Sequence, residues 1–467
     1  MGTLATGALF GPGRAAADPL AAGWADLAAA LDGNVVLPAA GAGYQSAKRV
    51  FNSCFDGATP AGVVQAKSVA DVQRAVAFAA AHDLKVAPRG GGHSYSGAST
   101  ATDTVVVDLR ALPGGVSFDD RLDRVTVSAA AGLYSVHQAL APAGRAIPTG
   151  TCPTVGTAGL ALGGGLGADS RHAGLTCDAL VSASVVLPSG EAVTVTEDDH
   201  ADLFWALQGG GGGNFAVTTS MTFWTFATGT TDLVRLSFPG SAASQVIVGW
   251  RSWLQNADRN CWALVDLTTD GTELQSAVLA TGPAGSGAAI SSAIVSAVGV
   301  APASTTNRTF NHMELVMYLA GGSPTSDPRR FVAGSDVMAA VGSAEADAIV
   351  AGARAWHSTA GGASVIVDAI DGAVGDVAPT GTAFPWRRHS AVVQWYADTP
   401  TPDLQTAAAQ WLDVAHQAVQ DHSSGGYVNY VEPNTTAARY FDGNLDRLSQ
   451  VRQRYDPARM MFSGLDL

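Results

Sequence analysis

Lysine is almost missing from this chain. Only Lys48, Lys67 and Lys85 occur in 467 residues, against 40 acidic side chains and a net charge of −14. A chain this acidic is a poor nucleic-acid ligand, because it cannot neutralise phosphates. Arg and Ala in place of Lys looks like the bias of a high-GC bacterial genome, a compositional hint that carries no mechanism. No uncharged apolar run reaches eighteen residues, which excludes a membrane span by sequence. Cysteine is equally scarce: Cys54, Cys152, Cys177 and Cys261 lie far apart without CxxC spacing. That excludes a disulfide-built scaffold and an evident zinc site, and leaves room for one disulfide that the spacing does not assign. The ten histidines are scattered without short ligand spacing, so no metal is expected.

Hydrophobic residues make up 47% of the chain, charged residues 14%, and there are 54 glycines. At roughly 100–200 residues per domain this is an ordered protein of two to three domains. Residues 4–10 are apolar and Ala15-Ala16-Ala17 precedes Asp18-Pro19, like a signal-peptide cleavage site without its basic start. Two readings stay open for 1–49: a remnant of an export signal, which makes the protein secreted or extracytoplasmic, or a plain Ala/Gly tail. A monomer or weak oligomer is expected.

Periodicity predicts helices near 24–31, 70–80 and 134–140 and strands at 63–64, 84–88, 104–109 and 124–129. Ser68 with Asp71 three residues on reads as a capping-box variant. Segments 180–187 and 191–196, joined by Pro188-Ser189-Gly190, read as a hairpin. From 231 to 420, strand-like runs at 262–267, 274–280 and 391–396 alternate with Ala-rich helical segments at 288–298 and 406–420. The fold class is therefore α+β, with a second sheet covered by helices.

Three glycine clusters follow predicted strands. The first is Arg89-Gly90-Gly91-Gly92-His93-Ser94-Tyr95-Ser96-Gly97. The second runs from Gly150-Thr151-Cys152-Pro153-Thr154-Val155-Gly156 through Gly159 to Gly163-Gly164-Gly165. The third is 209–213, closing at Gly213 and followed by Asn214-Phe215-Ala216-Val217. Without Cβ atoms, such loops let successive backbone N–H groups converge on a pyrophosphate. None has the GxGxxG register with a later acid that a nicotinamide Rossmann site needs, and none continues into the Lys-Ser or Lys-Thr of a P-loop.

The runs at 89–94 and 150–156 resemble the paired signatures of the berberine bridge enzyme-like flavoproteins of the vanillyl-alcohol oxidase superfamily. So does the chain end, with Tyr427-Val428-Asn429-Tyr430, then 440–448, then Tyr455-Asp456-Pro457. The resemblance covers 50–230 and 380–467 well, and the middle only in position and texture. It implies a two-part FAD-binding domain (50–230 with 421–467) of that superfamily's type, interrupted by a substrate domain with an antiparallel sheet (231–420). It further implies FAD linked covalently to His93 and Cys152. The cradle would be Arg89, Gly90, Gly91, Gly92, Ser94, Gly97, Gly150, Thr151, Val155, Gly156, Gly159, Gly163, Gly164, Gly213, Asn214, Phe215, Val217 and Asn429.

For catalysis the resemblance offers Tyr427 or Tyr430 as base, with Gln394 and Tyr396 on the pocket strand. Period two puts those two on one sheet face. Neighbours three apart on an extended strand face opposite ways, so Tyr427 and Tyr430 are expected to differ in exposure to the pocket. Two departures stand out: Leu166 replaces a tyrosine found in some antibiotic-tailoring members, and Gln394 replaces a glutamate base of some plant members. Val155, three residues after Cys152, resembles the oxidases, whereas dehydrogenases carry Leu there. The expected activity is oxidation of an alcohol or hemiacetal carbon of a carbohydrate or polycyclic natural product by hydride transfer to flavin N5, with O2 reduced to H2O2. The rivals are a dehydrogenase using a quinone or another acceptor, a flavin carrier without turnover, and a cytoplasmic location if the enzyme tailors natural products.

Overall fold

A computed structural model describes residues 19–467. The export-signal reading rests largely on residues 1–18, which lie outside the described residues. The first helix is Pro19–Ala30, and the next strands form a four-stranded sheet. In it Gly62–Gln65, Thr104–Asp108 and Lys85–Arg89 run parallel, and Asn34–Val36 is antiparallel at one edge. The connecting helix Val69–Ala81 buries Val72, Ala75, Val76 and Ala79 completely. Each buried valine contributes about 1.5–3 kcal/mol, which makes this face a principal tie between helix and sheet. Ser68 caps the helix by accepting the Asp71 N–H at 3.2 Å. The reciprocal half of the expected box is absent. The Asp71 carboxylate instead takes the N–H groups of Asp32, Gly33 and Lys67, tying the preceding loops to the helix start.

A second, antiparallel sheet orders its five strands as Val116–Asp119, Arg124–Ser128, Val217–Trp224, Leu180–Val186 and Ala192–Val195. The third large sheet has eight antiparallel strands: Ser304–Phe310, Thr231–Pro239, Leu274–Pro283, Trp262–Thr269, Ala363–Ala369, Ala391–Asp398, Phe331–Met338 and Ser423–Gly425. Helices Ala243–Leu254, Gly287–Val298, Ser343–Arg354 and Pro402–Val419 pack on one of its faces around Trp250, Trp395 and Trp411. The other face is left for the site.

After Ser423–Gly425 the chain leaves this sheet. Val428, Tyr440, Phe441, Leu448 and Met461 join the same apolar core as Val64, Val105 and Val217. Residues from beyond 425 thus return to the sheets built by the first 230. All four cysteines are free thiols. Among the described residues no helix is long and apolar enough to cross a membrane.

Candidate active site

Between the glycine loops and the open face of the eight-stranded sheet lies a cavity of about 560 Å³. That is within the range of about 300–1,000 Å³ usual for cofactor and small-molecule sites. Its floor is glycine backbone. The loops containing Gly91 and Gly156 touch so closely that a Cβ on either residue would lie 2.3 Å from the other's nitrogen. The backbone N–H groups of 91–94 have no partner among the described residues. A row of free donors beside side-chain-free backbone suits a pyrophosphate, and this is the local chemistry FAD requires. The group fits.

Gly90, Gly91, Gly92, His93, Ser94, Gly150, Thr151, Cys152, Val155, Gly156, Gly159, Gly213, Asn214 and Asn429 all line this cavity. The remaining expected cradle residues act from outside it. Arg89 is fully buried beneath its loop, bonded to Asp108 and the Ala47 carbonyl. Gly97 holds a left-handed turn with φ +69°. Gly163 leaves room for the Asn429 amide, which would lie 2.1 Å from a Cβ there, and Gly164 abuts the Tyr427 ring. Phe215 and Val217 belong to the core of the first unit.

His93 stacks on Phe51 with ring centroids 4.0 Å apart. Burial lowers its pKa to about 4, which keeps the imidazole neutral and nucleophilic at physiological pH. The Cys152 thiol also lines the cavity, 3.6 Å from the Thr154 hydroxyl. Both are therefore placed where a flavin ring could be attached.

On the sheet wall, Gln394 and Tyr396 both face the cavity, while Trp395 between them points into the helix layer. Gln394 Nε2 donates to the Tyr95 hydroxyl at 2.7 Å. Tyr95 stacks on Tyr430 with centroids 5.2 Å apart. Burial raises the Tyr396 phenol, Asp398 adds to this, and the Arg329 guanidinium opposes it. Leu166 lies in the apolar lining.

The two candidate bases need a correction. Val428–Tyr430 is a 3₁₀ turn rather than extended strand, so Tyr427 and Tyr430 face the same cavity, edge to face with centroids 5.0 Å apart. Their hydroxyls differ instead. The Tyr427 oxygen accepts from the Gly165 N–H at 2.7 Å and from Asn429 Nδ2 at 2.8 Å, and the residue is 2% exposed. It pins the 163–166 loop. The Tyr430 hydroxyl makes no hydrogen bond among the described residues, and the side chain lines the cavity. Burial raises its pKa well above that of an ordinary phenol, and the nearby Tyr95, Tyr427 and Asp368 raise it further.

Asp368 is a candidate site residue that sequence reasoning does not find. It is the only carboxyl group among the described residues lining the cavity. Burial pushes its pKa up to about 7, although the Trp262 indole N–H donates to it at 3.0 Å. Its signal was an acid at the end of Ala363-Ser364-Val365-Ile366-Val367-Asp368, a strand whose alternate residues are apolar. Tyr95 and Arg329, also in the lining, were passed over; Tyr95 stood in the quoted loop, and Arg329 had no local signal.

Comparison with known proteins agrees with this geometry. Residues 60–196 match the FAD binding domain family, and 426–461 match the family described as berberine and berberine like. The xylooligosaccharide oxidase of Thermothelomyces thermophilus is 30% identical over 436 residues, 86% of each chain. Among solved structures, Physcomitrella patens BBE-like 1 superposes with a TM-score of 0.86 at 23% identity, covering 95% of this chain and 98% of that one. The glucooligosaccharide oxidase of Acremonium strictum superposes at 0.85 with 25% identity, covering 96% and 98%. Another structure of that oxidase describes its cofactor as 6-S-cysteinyl, 8α-N1-histidyl FAD. With its glycine cradle, its cavity and its returning C-terminal turn, this chain belongs to the berberine bridge enzyme-like family of FAD-linked oxidoreductases.

Proposed function

We propose that the protein is a carbohydrate oxidase that converts a sugar hemiacetal to its lactone, with O2 as electron acceptor and with FAD held through His93 and Cys152. Bound FAD supplies the hydride acceptor and the route of the electrons to oxygen. The chain's own residues handle the proton. A free Tyr430 hydroxyl in the same cavity as Asp368, near enough for the carboxylate to raise its pKa, is the observation that carries the reading. A phenol raised this far cannot wait as a phenolate, so it must give up its own proton as it receives another. Asp368, with a pKa near neutrality, is suited to receive it. The substrate O–H proton passes to the Tyr430 oxygen as the Tyr430 proton leaves for the Asp368 carboxylate through a bridging water or substrate hydroxyl, since the two side chains share the cavity without a direct hydrogen bond. The C–H bond leaves as hydride, and a C=O forms.

Carbohydrate is favoured over a polycyclic substrate by the wall itself. Ser364, Gln394, Tyr95, Tyr396 and Arg329 offer hydroxyl, amide and guanidinium groups among aromatic faces, which suits a ring of hydroxyls. The names of the two oligosaccharide oxidases to which the chain is similar point the same way. The test is anaerobic addition of mono- and oligosaccharides, and separately of polycyclic alcohols, while following the visible flavin band. Sugars should bleach it. Bleaching by polycyclic alcohols alone refutes the substrate class, and none at all favours a carrier. Tyr430→Phe should slow flavin reduction by about 10²–10⁴-fold, and Tyr427→Phe should act more weakly, through its loop.

A further inference from the structure

The turn that carries Tyr430 is held from behind by a cluster of charges outside the cavity. His416, in helix Pro402–Val419, sits between two carboxylates. Its Nδ1 is 2.6 Å from Asp336 Oδ2, on strand Phe331–Met338, and its Nε2 is 2.9 Å from Glu432 Oε2, two residues beyond Tyr430. Asp336 also receives the Trp395 indole N–H at 2.8 Å and the Ser423 hydroxyl at 2.6 Å. Arg439, from the short helix Ala438–Phe441, donates to Asp336 Oδ1 at 3.1 Å and to the Ser335 carbonyl at 2.7 Å. Its Nε lies 3.8 Å from Glu432, and its Nη2 lies 3.2 Å from His416 Nδ1. On the other side of Asp336, the Ser335 hydroxyl accepts the Tyr427 N–H at 2.9 Å. The cluster thus grips the 427–430 turn at both ends.

A neutral imidazole has one N–H and can serve one of the two carboxylates; only the imidazolium donates to both. With it the cluster holds two negative and two positive charges. Without that proton, either Asp336 or Glu432 loses the imidazole N–H while keeping its remaining donors, the link between the two carboxylates is broken, and the cluster carries an uncompensated negative charge.

We propose that His416 is a positioning residue for this reaction: as the imidazolium it clamps Glu432 to Asp336 and so fixes where the Tyr430 hydroxyl stands in the cavity. The proposal rests on Tyr430 being the base. It concerns a side chain that touches neither substrate nor flavin, and it acts only through the turn. Burial works against the charged ring, but the bonds to Asp336 and Glu432 outweigh it and raise the pKa to about 9. The clamp is therefore complete through neutral pH and is lost as pH climbs through about 9.

The test uses the flavin-loaded protein and stopped-flow reduction by a sugar that bleaches it, across pH 6–10.5. Wild type should show an alkaline limb near pH 9. His416→Gln should reduce flavin about 10- to 10²-fold more slowly at pH 7.5, the scale of a small misplacement of a reacting group, with an unchanged substrate dissociation constant and no alkaline limb. His416→Lys, which keeps a cation, should recover part of the rate. In a Tyr430→Phe background, His416→Gln should cost nothing further. If His416→Gln cannot be loaded or folded, Glu432→Gln decides: removing one carboxylate should move the limb to lower pH, and a limb that stays put overturns the clamp. A wild-type rate in His416→Gln, or additive losses in the double variant, overturns it as well. A fast Tyr430→Phe overturns the base assignment and the clamp's route together, whereas a slow Tyr430→Phe beside an unaffected His416→Gln overturns the clamp alone.

Discussion

Replacing Asp368 by asparagine should make the enzyme more heat-stable at alkaline pH while disabling it. Folding moves this carboxyl from its ordinary 3.8 to about 7 because the cavity wall shields it from water. The native protein therefore keeps a proton that the unfolded chain releases. Its stabilising effect is whole below about pH 4, is lost as pH rises toward 7, and is absent at pH 8, where a buried carboxylate must be carried. About three pH units at 1.36 kcal/mol each give a ceiling of about 4 kcal/mol. For a chain of 467 residues, with an unfolding entropy of about 2.1 cal/mol/K per residue, that is at most about 4 °C in Tm. An amide in that place cannot ionise, so Asp368→Asn should melt above wild type at pH 8 and level with it at pH 4, at matched scan rate. Flavin reduction should change in the opposite sense. Wild type should gain rate with pH up to about 7 as the carboxylate forms, and Asp368→Asn should be about 10²–10⁴-fold slower with that acid limb gone. An acid limb that survives in the variant, or a Tm difference that is the same at pH 4 and pH 8, refutes the assignment.

Two further outcomes concern the flavin. Acid-denatured protein should stay yellow, with the flavin on peptides containing His93 and Cys152; either single alanine variant should keep one bond, the double variant should release the flavin, and free FAD recovered quantitatively from wild type would end the double-link reading. Val155→Leu should slow reoxidation of the anaerobically reduced enzyme by aerated buffer, since Val155 lines the cavity and one added methylene in a packed wall is felt; sluggish wild-type reoxidation beside rapid transfer to a quinone would mean a dehydrogenase.

The parts of the site that could be read in the sequence are those whose chemistry is local. A loop that must present consecutive N–H groups needs glycine within a few residues, so Gly91, Gly156 and Gly213 announce themselves along with His93 and Cys152. Alternation put Gln394 and Tyr396 on one face, and the strand bears this out. Asp368 escaped because its place depends on register: Ile366 pairs with Gln394 and Asp368 with Val392, two strands that meet only in the folded sheet. The choice between Tyr427 and Tyr430 was lost to backbone geometry, since a 3₁₀ turn brings residues three apart to one face whereas a strand sends them to opposite faces. Only the fold showed that one hydroxyl is spent on Gly165 while the other is free. His416 lies in an amphipathic helix, where nothing in the sequence separates a clamp from a solvated histidine.

The strand Lys85–Arg89, which leads into the first glycine loop, is an edge strand until the end of the chain closes it. Val86 donates to the Met460 carbonyl at 2.9 Å and accepts from the Phe462 N–H at 2.8 Å. During synthesis that edge waits for about 370 residues, or roughly 20–75 s at ribosomal speeds. Throughout that time the cradle's neighbour is an unpaired β edge, a template for joining other chains. Expression yield should thus depend on what shields this edge in the nascent protein, and a product ending near 425 should aggregate rather than accumulate without flavin.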